Sequence, residues 1–332
     1  MSGSPPYPPM LATDVRRLPS DPGWAFEIKW DGVRALASVG GGRVRLFARS
    51  GNEITDRYPE LRGLGEAVEG SSAVLDGEIV ALDTEGKPSF QLLQQRMGLT
   101  NPHTIRRRIG EVPVRFVGFD LLELAGEDLI ARPYEERRRR LAELGLADEC
   151  WQVPGHYIDD GDALLEAARR QRLEGVVAKR LGSPYRPGQR SSDWLKLRIR
   201  MRQDFLVGGW LPALSGRSER LGSLMLGVWD RPPEANAERG APAKLVYAGS
   251  VGSGLSEAAI ADLTARLRPL RLEDSPFDLG IGPKRPNPVW AWPELVCTVE
   301  FSEWTYEGTL RQPAYKGLRD DVDPERIIRE DG

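Results

Sequence analysis

Glu27-Ile28-Lys29-Trp30-Asp31-Gly32-Val33-Arg34 is the stretch from which the rest of the chain can be read. Phe26, Ile28 and Trp30 fall on one side of an alternating pattern, and Glu27, Lys29 and Asp31 on the other. Period-2 alternation marks a strand with one buried face. It runs into a turn at Gly32, and an arginine follows at position 34. A lysine amine attacks only when neutral, and free lysine titrates near ~10.4. Nearby cations or desolvation lower that value. Arg34, Lys196 and Arg198 are cations that a fold would have to gather for the purpose. The same residues also fit a surface strand with salt bridges.

Outward from this stretch the chain reads as α+β. Val44 to Ala48, Val74 to Leu82 and Val114 to Leu122 are predicted strands, and 56–69 a helix weakened by Gly63 and Gly65. Tyr134 to Leu144 and Asp162 to Leu173 are predicted helices, and 175–180 and 194–202 further strands. In the last of these, Leu195, Leu197, Ile199 and Met201 share one face, and Lys196, Arg198, Arg200 and Arg202 the other. Beyond Arg202 come four short strands (205–211, 223–229, 244–251, 295–302) and one helix near Ser256 to Leu267. That content fits a small Greek-key barrel such as an OB-fold, with a boundary near 203.

Composition narrows the class. With 332 residues and 40% apolar content there is material for two domains, each with its own core. No run long enough to span a membrane occurs, and Met1 to Met10 has no apolar signal core, which points to a cytoplasmic protein. Cys150 and Cys297 sit in no metal-like spacing and read as thiols; His103 and His156 stand alone. The net charge of −3 argues against a uniformly basic nucleic-acid binder. Positive charge is nevertheless concentrated: Lys179 to Arg202 holds eight Lys or Arg and a single acid, Asp193.

Four further motifs carry chemistry. Asp76 and Glu78 share a face of an apolar strand, either binding a metal or a ribose hydroxyl, or lying solvated on an edge. Glu174, at a helix-to-strand turn, can pair with Glu78 to hold a hard cation, or be a simple helix-end acid. Lys196 and Arg198 suit phosphate oxygens or a solvated face. Phe119, in Phe119-Asp120-Leu121-Leu122, reads first as core.

Taken in order, Lys29-x-Asp31-Gly32-x-Arg34, Arg49-Ser50-Gly51, Asp76-Gly77-Glu78, Phe119-Asp120-Leu121-Leu122, Glu174-Gly175 and Lys196-Leu197-Arg198 resemble the covalent nucleotidyltransferases. That superfamily holds DNA ligases, RNA ligases and capping enzymes. With Pro9-Met10-Leu11-Ala12, Ser183-Pro184-Tyr185-Arg186-Pro187-Gly188 and Gly317-Leu318-Arg319, the chain is similar in particular to the ligase domain of bacterial ATP-dependent DNA ligases of the end-joining type.

The resemblance implies a nucleotidyltransferase domain of two antiparallel sheets with flanking helices (1–203) and an OB domain (204–332). It implies ATP and Mg²⁺ or Mn²⁺ as cofactors, and AMP carried on Lys29. Arg34 and Arg49 would contact ribose and phosphates, Glu78 the ribose and metal, Glu174 the metal, Phe119 the adenine, and Lys196 and Arg198 the α-phosphate. Nicked duplex DNA is the implied partner of a monomer located at the nucleoid, with Ku and end-joining polymerase or nuclease domains alongside. Arg132, Arg137 to Arg140 and the arginines at 106–108 are candidate duplex clamps, although 137–140 also fits a solvated helix face. Two departures stand out. Arg198 replaces the family's usual lysine, and Arg319-Asp320-Asp321-Val322 lacks the lysine of an Arg-x-Asp-Lys motif that orients pyrophosphate; Arg311 and Lys316 are the alternative candidates to stand in for it. The rival readings are an RNA ligase, a capping-type guanylyltransferase, and a non-catalytic nucleic-acid or nucleotide-binding module.

Overall fold

The computed structural model describes residues 5–68, 71–213, 220–233, 242–280, 282 and 287–330. The chain divides into two units, Met1–Ile199 and Arg200–Gly332. Among the described residues no helix is long and apolar enough to cross a membrane.

In the first unit, β1 (Leu11–Asp14), β2 (Trp24–Ile28), β7 (Gly175–Arg180) and β8 (Arg190–Arg198) form one sheet in the order β1–β8–β7–β2, with Tyr157–Ile158 at its edge. A second sheet runs β4 (Arg43–Ala48), β3 (Val33–Gly40), β5 (Ala73–Ala81), β6 (Val114–Leu124), then the short Glu127–Asp128. Most pairings are antiparallel. Two are parallel, β1 with β8 and Trp151–Gln152 with β6, so the all-antiparallel expectation is corrected there.

Alternation explains how the sheets stack. Trp24, Phe26, Val176, Ala178 and Leu197 pack with Leu164, Leu165 and Ala168 of the helix α3 (Gly161–Arg170). The opposite face of that sheet carries Glu27, Lys179 and Trp194. On the second sheet, Ala35, Ala37, Leu75, Ile79, Phe116 and Leu121 build the largest core of this unit. Its other face gives Leu36, Phe47, Val74, Phe119 and Leu122 to a small cluster that includes Met10, Tyr185 and Trp194 of the first sheet's side. The two sheets therefore meet at this cluster, and a cleft opens beside it.

Three local expectations change. The helix expected over 56–69, of which 69 lies outside the described residues, is replaced by 3₁₀ turns at Thr55–Arg57 and Pro59–Gly63 and one helical turn at Leu64–Ala67. Glycines and Pro59 favour such tight turns over a continuous helix. The helix expected to reach Leu173 ends at Arg170. The strand expected over 194–202 is interrupted: β8 ends at Arg198 and β9 (Met201–Pro212) begins after two residues, so Arg200 and Arg202 belong to the second unit.

The helix α2 (Tyr134–Glu143) brings a further correction. Its buried residues are Tyr134, Arg137, Arg138 and Leu141, spaced i, i+3, i+4, i+7. That is the stripe by which a helix packs. Arg137 donates to both oxygens of the fully buried Asp120 at 2.8 and 2.9 Å, and to the carbonyls of Arg132 (2.6 Å) and Ser183 (3.0 Å). Arg138 is buried beside Glu27, 4.0 Å away. Neither is a surface clamp; of this run, Arg139 is the exposed member and pairs with Glu143.

The second unit is a barrel of β9, β10 (Leu221–Trp229), β11 (Leu245–Val251), β12 (Val289–Ala291), β13 (Val296–Phe301) and β14 (Ala314–Leu318). The strands β11–β10–β9–β13–β14 pair in sequence, and a Ser253–Ala314 bridge joins the last back towards the first. Such closure removes the sheet edges. Phe205, Leu224, Leu226, Val299 and Phe301 fill its interior, with Leu263 and Leu267 of the capping helix α4 (Glu257–Leu267). Ser256 caps this helix by accepting from the Ala259 N–H.

Candidate active site

The cleft between the sheets of the first unit is lined by Glu27, Lys29, Trp30, Arg34, Arg49, Glu78, Phe119, Lys179, Arg190, Trp194, Lys196 and Arg198, among others. Of the residues singled out from sequence, seven line it directly. Glu174 adjoins it through an ion pair with Lys29 Nζ.

Lys29 follows β2, its backbone N–H held by the Gly175 carbonyl at 2.9 Å. The turn that follows fits closely against β5. A Cβ on Gly32 would lie 2.2 Å from the Ile79 carbonyl oxygen and 2.9 Å from the Glu78 side chain, so only glycine allows this approach. Gly175, with φ +151° and its Hα side facing the Leu197 carbonyl, does the same for Glu174.

Carboxylates and cations alternate around the cleft floor. Glu174 contacts Lys29 and lies 3.5 Å from Arg198 Nε. Burial raises the Glu174 pKa, against the pull of Lys29. Burial also drives Glu78 up to about 8, opposed by Arg34 and Lys29 and reinforced by Glu174 and Asp76. Lys196 is lowered, first by desolvation and then by Arg198. Burial thus disfavours the charged form of both acids, a cost that a bound cation would relieve.

Asp76 is fully buried in a central strand, which removes the edge-strand reading. Its two oxygens accept from Arg34 Nε and Nη2, each at 2.6 Å. Tyr185 Oη also donates to it at 2.6 Å and accepts the Met10 N–H at 2.8 Å. Arg34 in turn sits 4.7 Å over the Phe119 ring. Phe119 is both core and cleft wall: it is 8% exposed, with Trp194 edge-on at 6.4 Å. Arg49 is exposed at the rim, with no ion-pair partner among the described residues.

Sequence reading assigned no role to Lys179, Glu27, Tyr134 or Trp194. Lys179 is 1% exposed; it donates to Glu27 Oε2 at 2.9 Å and to the Phe119 carbonyl at 3.0 Å. It also lies 4.5 to 5.0 Å from the rings of Trp194, Phe119 and Tyr134. Tyr134 Oη donates to the other Glu27 oxygen. Desolvation lowers the Lys179 pKa, and Glu27 opposes the shift. The available signal was parity: Glu27, on β2, and Lys29, just past its end, are two apart in extended chain and face the same side.

Elsewhere, Arg106 and Arg107 are exposed on the helix α1 (Pro102–Glu111), and Arg108 pairs with Glu111 at 2.6 Å. Arg132 is exposed, 3.3 Å from Glu127. In the second unit Arg319 is held by Asp321 (2.7 Å) and Asp204 (3.1 Å), Arg311 by Glu303 (2.8 Å) and Lys316 by Glu300 (2.6 Å). Cys150 and Cys297 are free thiols.

A lysine just past a strand end, two half-buried carboxylates and a cationic strand facing an aromatic wall form a site whose charges suit phosphoryl groups. The family model for the ATP dependent DNA ligase domain matches residues 9–198, and that for the ATP dependent DNA ligase C terminal region matches 217–322. The chain belongs to the ATP-dependent DNA ligase family. Within it, the chain is 40% identical over 325 residues to the multifunctional non-homologous end joining DNA repair protein LigD of Mycobacterium tuberculosis, covering 97% of this chain and 40% of that protein. A DNA ligase of Thermococcus fumicolans is 31% identical over 91% of this chain and 52% of its own. A solved mycobacterial DNA ligase D complexed with ATP is 38% identical with a TM-score of 0.54, covering 98% of both chains. The chain thus spans about 40% of the length of the LigD proteins it matches. The fold follows: a nucleotidyltransferase domain and an OB-type domain, as in that family.

Proposed function

We propose that this chain seals 5′-phosphate/3′-hydroxyl nicks in duplex DNA, with Lys29 as the nucleophile. The observation that carries the residue assignment is the position of Lys29 on the cleft floor, against Glu174 and close to the cationic strand of Lys196 and Arg198. In the first step Lys29 Nζ loses a proton, bonds to the α-phosphorus of ATP and displaces pyrophosphate. In the second an oxygen of the DNA 5′-phosphate attacks that phosphorus, the P–N bond breaks and the lysine regains its proton. In the third the 3′-hydroxyl attacks the 5′-phosphate and AMP leaves. Lys196 and Arg198 would hold the α-phosphate, Arg34 and Arg49 the ribose and phosphates, and Phe119 the base.

Glu78 and Glu174 would hold a divalent cation. Among the described residues no group of three or more His, Cys, Asp or Glu side chains is placed to hold a metal ion. Two carboxylates still suit Mg²⁺ or Mn²⁺, because Mg²⁺ binds through one or two carboxylates and takes its remaining ligands from water and phosphate. Bound there, the ion would neutralise phosphate charge.

The LigD relatives matched above are named for non-homologous end joining, and this chain covers about 40% of their length. We place this chain in that process, as a monomer at the nucleoid. Polymerase or nuclease domains and Ku would act beside it, whether on one polypeptide or several.

The test is incubation with α-labelled ATP and Mg²⁺ after stripping with pyrophosphate, then denaturing electrophoresis. Wild type should label and Lys29→Ala should not. Sealing of nicked DNA but not of nicked RNA should follow. A stripped wild type that takes no label would reject the assignment in favour of a binding module.

A further inference from the structure

We infer that Asp14 is a phosphate stand-in, an acid that holds Lys196 and Arg198 and is displaced by the triphosphate of ATP. The inference rests on the phosphate-binding role given above to those two cations. Asp14 Oδ1 accepts from Arg198 Nη1 at 2.7 Å, and Oδ2 lies 3.4 Å from Lys196 Nζ. One carboxylate thus spans both cations of the strand with its two oxygens, as two oxygens of a phosphate would.

The backbone is arranged to put it there. β1 pairs with β8 in parallel, Leu11 opposite Arg190 and Ala12 opposite Ser191. Continued without a break, that register would set Asp14 against Asp193, two like charges. Instead the register slips between Ala12 and Thr13, so that Thr13 meets Leu195 and Asp14 meets Lys196. The Val15 N–H then bonds to the Lys196 carbonyl at 3.0 Å and fixes the new register. Such irregularities re-aim side chains next to active sites.

The contact is also easy to break. The Asp14 side chain is 58% exposed, against 17% for Lys196 and 34% for Arg198. An exposed carboxylate returns to water at little cost, while the cations stay in the cleft. Asp14 therefore keeps Lys196 and Arg198 ordered and pointed inward, and it competes with any anion for the same donors. A multiply charged triphosphate wins that competition more readily than a monovalent ion does. Asp14 acts as a positioning residue, at the expense of ATP affinity.

The experiment is Lys29 adenylation measured against ATP concentration for stripped wild type, Asp14→Asn and Asp14→Glu. Asparagine keeps the shape and loses the charge. The apparent KM for ATP should fall about three- to fivefold in Asp14→Asn, the scale of one exposed ion pair. Inhibition by added inorganic pyrophosphate should strengthen by a similar factor. Asp14→Glu should stay within twofold (~) of wild type in both, since the charge is kept. An unchanged or raised KM in a folded Asp14→Asn would overturn the stand-in. If Asp14→Asn fails to fold, Asp14→Ser is read by the same criteria. Failure of the wild type to label at all would instead overturn the reading of Lys29, so the two failures are distinguishable.

Discussion

Two buried cations in the first unit differ in what they should do. Arg137 satisfies Asp120 behind the cleft wall, and neither of the two lines the cleft. Removing one member of a buried pair leaves the other charge uncompensated, costing about 3–5 kcal/mol. Arg137→Met should therefore lower the urea midpoint of the protein strongly. Adding Asp120→Leu should restore much of it, because apolar replacement of both partners is often close to neutral. Lys179 lines the cleft, and its ammonium holds both Glu27 and the Phe119 carbonyl. Lys179→Met should lower stability too. Among molecules that remain folded it should also raise the KM for ATP about tenfold or more, the scale of a charged hydrogen bond of ~1.5–3 kcal/mol. Equal adenylation kinetics in folded Arg137→Met and Lys179→Met would deny Lys179 any role in the site. Neither arginine burial nor the Lys179 pocket was evident in sequence. Arg137 to Arg140 looks like a solvated run, and only the flanking Tyr134 and Leu141, seven apart, hint that 137 and 138 lie on the packed stripe.

Elements were legible where a local period decided them. The alternation through Phe26 and Ile28, the apolar runs of β5 and β6, and the helix after Ser256 all follow from patterns within one element. What failed depends on partners distant in sequence or on competing turn chemistry. The 56–69 segment has helical spacing, but Pro59, Gly63 and Gly65 turn it into short 3₁₀ pieces. The parallel β1–β8 pairing joins residues about 180 apart in sequence, and nothing in either strand alone announces it. The motif glycines were legible as motif but not as geometry. Gly32 lets the turn after Lys29 rest on β5, with 2.2 Å between a hypothetical Cβ and the Ile79 oxygen. Because that obstacle is backbone, Gly32→Ala must move the turn. We expect a stability loss of about 1–3 kcal/mol, as for overpacked sites, and a larger loss in adenylation, because the turn carries Lys29 at one end and Arg34 at the other. Comparing thermal midpoint with labelling rate checks this: wild-type labelling with only a lowered midpoint would mean the close approach matters to folding alone.

At the scale of the whole chain, two sets of buried residues stand apart. Phe205, Leu224, Val299 and their neighbours fill the barrel, while three other clusters serve the first unit. The net charge of −3 describes neither unit's chemistry, since the cations that matter are collected in one cleft. Every residue lining that cleft lies between Pro9 and Arg198, and its last strand ends at Arg198. A fragment of residues 1–199 should therefore unfold in one cooperative urea transition, since a unit with its own core can fold alone. It should also bind ATP in calorimetry. It should not seal nicks, because the family architecture joins this unit to a barrel. The core of the fragment is drawn from both faces of the second sheet and from one helix against the first, and every member of those clusters lies within residues 7–199. A broad, non-cooperative transition in the fragment would show that its cores need the barrel, and would move the nucleotide site from a property of one unit to a property of two.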